Sequence, residues 1–189
     1  MDRRIGSKFL HPGPGFGGSC FPKDTQALAS VARQFGRDSL IVDAVIEVNR
    51  RQRKAMLPKI EKLVGEAKGK TIAVLGLAFK PETDDMRDAP SVEIIRGLLE
   101  IGANVRAYDP VAMTEAAKLL PGISYAEDEY AAVKDTDALV FVTEWNQFRA
   151  LDMGRIRDLM KSPKIADLRN IYKPEDMRDL GFDYVGVGR

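Results

Sequence analysis

Thr71-Ile72-Ala73-Val74-Leu75-Gly76-Leu77-Ala78-Phe79-Lys80-Pro81 is the stretch whose reading decides the fold. An apolar, β-branched run enters a glycine turn and then a polar loop, the pattern of a strand buried on both faces of a parallel sheet. Outward from it, the downstream pattern predicts a helix over 91–100, a strand over 104–108, a helix over 112–119 and a short strand over 123–125. A helix over 128–133, a strand over 138–143, a helix near 153–160, a strand over 164–167, a helix over 174–180 and a strand over 183–187 complete it. Short apolar strands separated by amphipathic helices make this unit α/β, a doubly wound parallel sheet. Ligands of such sheets bind outside the carboxyl ends of the strands, so the loops after Leu75, Tyr108, Thr143 and Asp167 are expected to line a site.

The first turn lacks the second and third glycines of a dinucleotide fingerprint. It offers Lys80 instead, at the head of Glu82-Thr83-Asp84-Asp85-Met86-Arg87-Asp88, and Arg169 follows the strand ending at Asp167. Lysine and arginine at strand ends suit charge-assisted recognition of phosphates. Arg87 can equally pair with the acids of its own loop. Asp109, where a ribose-binding acid would stand in a cofactor domain, reads as a turn or helix-start residue before Pro110.

Upstream, Gly65-Glu66-Ala67-Lys68-Gly69-Lys70 is a polar hinge, so the chain divides into a helical segment over 1–68 and the sheet domain over 69–189. The helical segment holds a run from Leu40 to Val48 that is apolar on nearly every face, which predicts a helix covered by a second subunit. Arg50-Arg51-Gln52-Arg53-Lys54 beyond it reads as a solvated or interface face, and Pro58 is expected to kink or restart the helix.

Before these helices comes Gly13-Pro14-Gly15-Phe16-Gly17-Gly18-Ser19-Cys20-Phe21-Pro22-Lys23-Asp24, which carries the one cysteine of the chain. Glycine amides and the positive end of a following helix favour a thiolate, so Cys20 is a candidate nucleophile. The alternative is a small buried hydrophobe beside a turn. Asp24 is placed to be the N-cap of a helix closed by Gly36, to act in catalysis, or both.

Over 189 residues the net charge is +1, which gives no electrostatic case for nucleic acid or an anionic membrane. A lone cysteine excludes an internal disulfide framework and suits a reducing compartment, the cytoplasm. No apolar run is long enough to span a bilayer, and no metal-ligand cluster stands out.

Arg4-Ile5-Gly6, Phe16 to Asp24, Leu75 to Lys80, Thr83 to Arg87, Ala107-Tyr108-Asp109-Pro110 and Thr143-Glu144-Trp145 together resemble, in this order, motifs of the UDP-glucose/GDP-mannose dehydrogenase family. The resemblance covers essentially the whole chain, and Phe21 after the cysteine is similar to the UDP-glucose branch. It implies a Rossmann-like, UDP-binding sheet domain and a central dimerisation helix. The implied activity is oxidation of UDP-glucose to UDP-glucuronate with two NAD+, in polysaccharide biosynthesis. By the same resemblance Cys20 forms a thiohemiacetal and then a thioester, and Asp24 positions the hydrolytic water. Arg4, Phe9, His11, Gly13, Gly15, Phe16, Gly17, Phe79, Lys80 and Arg169 would hold the sugar nucleotide, Arg4 in a neighbouring subunit, with Lys23 and Arg87 near the cofactor. The family's NAD-binding domain, and its lysine and asparagine ahead of the cysteine loop, are not matched, so this chain alone is expected to be inactive or nearly so. A non-catalytic nucleotide-binding or dimerisation module, in which Cys20 is inert, is one competing reading, and oxidation of GDP-mannose in place of UDP-glucose is the other that the resemblance allows.

Overall fold

A computed structural model describes Gly6 and residues 10–189. Strand β1 (Thr71–Leu75) lies inside a six-stranded, fully parallel sheet, flanked by β2 (Asn104–Tyr108) and β4 (Ala138–Phe141). β3 (Ser124–Tyr125) extends the β2 side, and β5 (Lys164–Asp167) and β6 (Asp183–Gly186) extend the other, giving the order β3-β2-β1-β4-β5-β6. The order reverses between β1 and β4, which makes the carboxyl end of β1 the switch point.

Strand pleating divides the core in two. Ile72 and Val74 of β1 join Val105, Val140 and Ala166 on one face, while Ala73 and Leu75 join Leu139, Phe141 and Ile165 on the other. The second face is covered by α6 (Glu129–Val133), α7 (Met153–Leu159) and α8 (Pro174–Asp179), through Ala132, Val133, Met153, Ile156 and Met177. A 3-10 turn over Asn146–Ala150, which has no clear sequence period, adds the fully buried Phe148 to that side. The first face receives α4 (Pro90–Glu100) and α5 (Met113–Leu119), through Ile94, Ile95, Leu98 and Ala116. It also receives a helix from upstream of the hinge, α3 (Met56–Val64), whose Met56, Ile60, Leu63 and Val64 are buried. Lys164 donates to the Leu63 carbonyl at 2.8 Å and Lys59 to the Gly186 carbonyl at 2.7 Å, which fastens α3 over β5 and β6.

The remaining helices are α1 (Phe21–Gln34) and α2 (Leu40–Lys54). Gly36, at φ 64°, closes α1 as expected: its N–H reaches the Arg33 carbonyl at 3.0 Å while that of Arg37 reaches Ala32 at 2.9 Å. Pro58 has no N–H for the Lys54 carbonyl, and α2 ends at Lys54 before the chain restarts as α3. Within this chain α2 buries no residue; Leu40, Ile41, Val45 and Val48 are exposed, as are Leu28, Val31 and Phe35 of α1. No helix among the described residues is long and apolar enough to cross a membrane.

If α3 is part of the sheet's core, Ile60→Ala should destabilise the protein by about 2–5 kcal/mol, the usual range for such a buried truncation. Urea denaturation reads this directly, and a loss below about 1 kcal/mol would detach α3 from the folding unit.

Candidate active site

The glycine loop packs between α2 and the loops that leave β1 and β5. Asn49 of α2 grips its middle: Oδ1 accepts the Phe16 N–H at 2.8 Å and Nδ2 donates to the Phe16 carbonyl at 3.1 Å. Gln52, on the same helix face, donates to the Gly13 carbonyl at 2.7 Å. On the sheet side the Gly18 N–H donates to the Arg87 carbonyl at 2.9 Å. These contacts explain the glycines. A Cβ on Gly13 would lie 2.4 Å from the Arg169 guanidinium, one on Gly17 would lie 2.2 Å from the Asp88 carbonyl oxygen, and Gly18, at φ 88°, is pressed on the Phe79 ring. Gly13, Gly15 and Gly18 have the spacing of a dinucleotide fingerprint, but among the described residues no strand leads into them, and packing accounts for each.

Cys20 ends the loop, exposed, as the residue that caps α1, with Sγ 3.7 Å from the Ser19 hydroxyl. The reading of Asp24 as the N-cap is corrected here. Pro22 is accommodated in the first turn, where its missing N–H costs nothing, so the helix starts at Phe21 and Asp24 lies one turn in. Its backbone N–H donates to the Cys20 carbonyl at 2.8 Å, and its carboxylate faces Lys23 at 3.3 Å in a solvent-exposed pair of small energetic weight. The thiol, Asp24 and Lys23 therefore share one open helical turn, with the partial positive charge of the helix start at the thiol.

Three cations stand at the rim. Arg87 is held by Asp85 through two hydrogen bonds of 2.9 and 2.8 Å, so the pairing within its own loop is the arrangement present. That pair raises the Arg87 pKa. Lys80 is exposed, its ammonium 5.4 Å from the Phe79 ring centroid. Arg169 is largely covered, lies against Gly13 and is paired with Glu144, whose Oε2 is the one buried side-chain polar atom among the described residues without a hydrogen-bond partner. His11, Gly15 and Phe16 lie in the same loop; Arg4 and Phe9 fall outside the described residues.

Sequence reasoning missed Asn49, Gln52 and Arg53. Arg53 belongs to the run read as a solvated or interface face; its side chain is 12% exposed and contacts Asp88 at 2.8 Å and Glu93 at 2.9 Å within the chain. Arg50 and Arg51 do face solvent, and their hydrogen bonds with Glu47 hold that carboxyl down to a pKa of about 2. A groove of about 1110 Å³ runs from Arg87 and Asp88 along α4 to Lys118; Cys20, Lys80 and Arg169 do not line it.

Asp109 settles what the sheet's first turn can bind. It is buried, with Oδ2 accepting from the N–H groups of Leu77 at 2.7 Å and Ala78 at 3.2 Å and from the Trp145 indole at 3.1 Å. Oδ1 accepts from Val111 at 3.0 Å and Ala112 at 2.8 Å, which bears out the turn alternative of its reading: Asp109 closes the turn over residues 110–112 that precedes α5. A carboxylate with five donors has no capacity left for a ribose, and the Leu77 and Ala78 amides are not free for a pyrophosphate. The sheet does not fit a dinucleotide in the usual manner. Among the described residues no cluster of His, Cys, Asp or Glu is arranged to hold a metal ion.

A parallel sheet of this order, with its switch point at the end of β1, defines a Rossmann-like α/β domain. Residues 73–174, more than half of the chain, match the family model for the UDP binding domain of the UDP-glucose/GDP-mannose dehydrogenase family, and residues 1–51 match the model for its central domain. The chain belongs to that family. It is 48% identical, over its full length, to a UDP-glucose 6-dehydrogenase of Rhizobium meliloti and 46% identical to UDP-glucose 6-dehydrogenase TuaD of Bacillus subtilis, spanning 44% and 41% of those proteins. Among solved structures, a UDP-glucose dehydrogenase of Pyrobaculum islandicum superimposes with a TM-score of 0.84 at 36% identity, covering 99% of this chain and 41% of that one. A GDP-mannose dehydrogenase of Pseudomonas aeruginosa gives 0.73 at 25% identity, covering 97% and 42%. The chain thus spans less than half the length of these relatives.

Two acids give opposite expectations. Asp109→Asn presents an N–H₂ to converging donors and should cost about 3 kcal/mol in urea denaturation, as loss of hydrogen bonds to a buried charge does. Asp167 is fully buried, and desolvation raises its pKa although Tyr172, Tyr184 and Arg169 donate to it. The folded state therefore holds its proton more tightly than the unfolded chain, and this group's contribution to stability falls as pH rises above 3.8, the ordinary value for an aspartate. Asp167→Asn should flatten that decline in a pH series of melting temperatures; an unchanged slope would contradict it.

Proposed function

We propose that this chain is the cysteine-bearing, sugar-nucleotide-binding part of a UDP-glucose 6-dehydrogenase. The observation that carries the reading is the seating of the Cys20 loop against the nucleotide rim, through Gly13 on Arg169 and Gly18 on Phe79 and Arg87. In it, residues 1–68 hold the cysteine loop and central helices and residues 69–189 bind the UDP moiety. The diphosphate is held by Lys80 and Arg169, with Phe79 and loop residues His11, Gly13, Gly15, Phe16 and Gly17 around the sugar nucleotide. Arg4 and Phe9 complete the substrate contacts, Arg4 from a second subunit. The exposed apolar residues of α1 and α2 form the homodimer face.

The thiolate of Cys20 adds to the C6 aldehyde of the half-oxidised sugar, giving a thiohemiacetal whose oxidation yields a thioester. Water oriented by Asp24 hydrolyses the thioester to the carboxylate. The oxidation needs a hydride acceptor; NAD+ is that acceptor in this reading, with Lys23 and Arg87 beside it, and it is bound outside the sheet described above. The setting is cytoplasmic, where a single exposed thiol stays reduced.

UDP or UDP-glucose should slow alkylation of Cys20 by iodoacetamide about tenfold or more at saturation, measured by mass spectrometry. Lys80→Ala and Arg169→Ala should each abolish the protection. The chain alone, given UDP-glucose and NAD+, should show no appreciable absorbance change at the NADH band. Alkylation indifferent to nucleotide would favour a non-catalytic module with an inert thiol.

A further inference from the structure

We infer that Arg53 is a positioning residue for the reactive loop, and that it works by holding Asp88 in a left-handed backbone conformation. Asp88 is a non-glycine residue at φ 50°, where a side chain is disfavoured. Arg53 meets it from α2, with Nη1 donating to Asp88 Oδ1 at 2.8 Å and Nε to Glu93 Oε2 at 2.9 Å. One guanidinium thus bridges the residue that leaves the β1 loop and a residue in the first turn of α4. Its stem also packs on the cysteine loop, since a Cβ on Gly15 would lie 2.7 Å from Arg53 Cγ.

The conformation of Asp88 decides two contacts of the cysteine loop. Its carbonyl oxygen is the atom against which Gly17 is pressed, at 2.2 Å from a built Cβ. The carbonyl of its neighbour Arg87 accepts the Gly18 N–H at 2.9 Å. Were Asp88 to relax to negative φ, both carbonyls would swing and the turn leading into Cys20 would lose its support on the sheet domain. Arg53 opposes that relaxation with two charge-assisted hydrogen bonds made from a side chain that is 12% exposed. A lysine cannot bridge two carboxylates in this way, because it lacks the planar fork. The consequence for function, which rests on the proposed reading, is that Arg53 keeps the thiol in register with the nucleotide rim although it touches neither.

The test is amide hydrogen exchange of Gly18 by NMR, without nucleotide, in the wild type, Arg53→Gln, Asp88→Gly and the double variant. Arg53→Gln should accelerate exchange at Gly18 about tenfold, the population change that releasing a left-handed residue allows, while amides of β1 and β4 stay protected. Asp88→Gly should leave Gly18 at its wild-type rate, because glycine takes positive φ without cost. It should also rescue Gly18 in the double variant. Unchanged exchange in Arg53→Gln, acceleration in Asp88→Gly alone, or failure of the double variant to recover would each overturn the inference. UDP protection of Cys20 should follow the same pattern, lost in Arg53→Gln and regained in the double variant. Because exchange is read on the free protein, its outcome stands apart from whether UDP is the ligand.

Discussion

One buried carboxylate holds the site end of the sheet together. Asp109 leaves β2 and collects donors from the β1 turn, from the start of α5 and from the Trp145 indole after β4. A buried charge is tolerable only when its lone pairs are occupied, and five donors meet that demand. Neighbouring side chains finish the work: Thr143 donates to the Ala78 carbonyl and Ser91 to that of Leu77, both from buried positions, while the Gly76 N–H takes the Tyr108 carbonyl. The turn is thereby saturated from within. What a dinucleotide-binding turn offers to a pyrophosphate, this one spends on its own carboxylate, and the rim beyond it is made of side chains further along. Phe79, Lys80, Arg87 and, from β5, Arg169 make up that rim.

The sheet was legible in the sequence because its strands are buried on both faces and read as short apolar runs between turns, with β1, β2 and β5 expected to the residue. Long-range polar pairing was less so. Asn49, Gln52 and Arg53 stand at positions i, i+3 and i+4, a spacing that marks one helix face, but nothing local says that this face meets a loop thirty-odd residues upstream. The basic run containing Arg53 resembles any solvated face until its partners Asp88 and Glu93 are seen. Asp24 illustrates a rule outweighed by a neighbour: an acid before a helical pattern suggests a cap, yet Pro22 fits the first turn better than the interior and draws the start back to Phe21. The seating of Gly13 on Arg169 and Gly18 on Phe79 likewise has no local signal, because it joins segments far apart in the chain.

The glycines of that loop deserve a different reading from the one their density first invites. Freedom to cradle a phosphate is one use of glycine; room for another chain segment is a second, and here the contacts show the second. Gly13, Gly17 and Gly18 each touch an atom that a side chain would displace, drawn from three parts of the sheet domain. Their effect is to lay the loop's backbone directly on the Arg169 and Phe79 side chains and the Asp88 carbonyl, so that the loop's position is set by the domain it leans on. A thiol at the end of such a loop inherits its placement from the sheet domain.

The helices that frame this loop have a different source of order. α1 and α2 are 14 and 15 residues long, and helices of that length are marginal on their own in water. Within the chain α1 buries only Ala29 and α2 buries nothing, so their apolar faces contribute little to their own stability here. What fixes α2 is polar: Asn49 and Gln52 on the loop and Arg53 on Asp88 and Glu93, all in its last turns and next to the firmly seated α3. The carboxyl end of α2 thus takes its order from the sheet through α3, and its start is tied to α1 by Asp43, which accepts from Arg33 and Ser39. A second apolar surface laid on Leu40, Ile41, Val45 and Val48 would extend that order along the helix to α1, whose first turn carries Cys20.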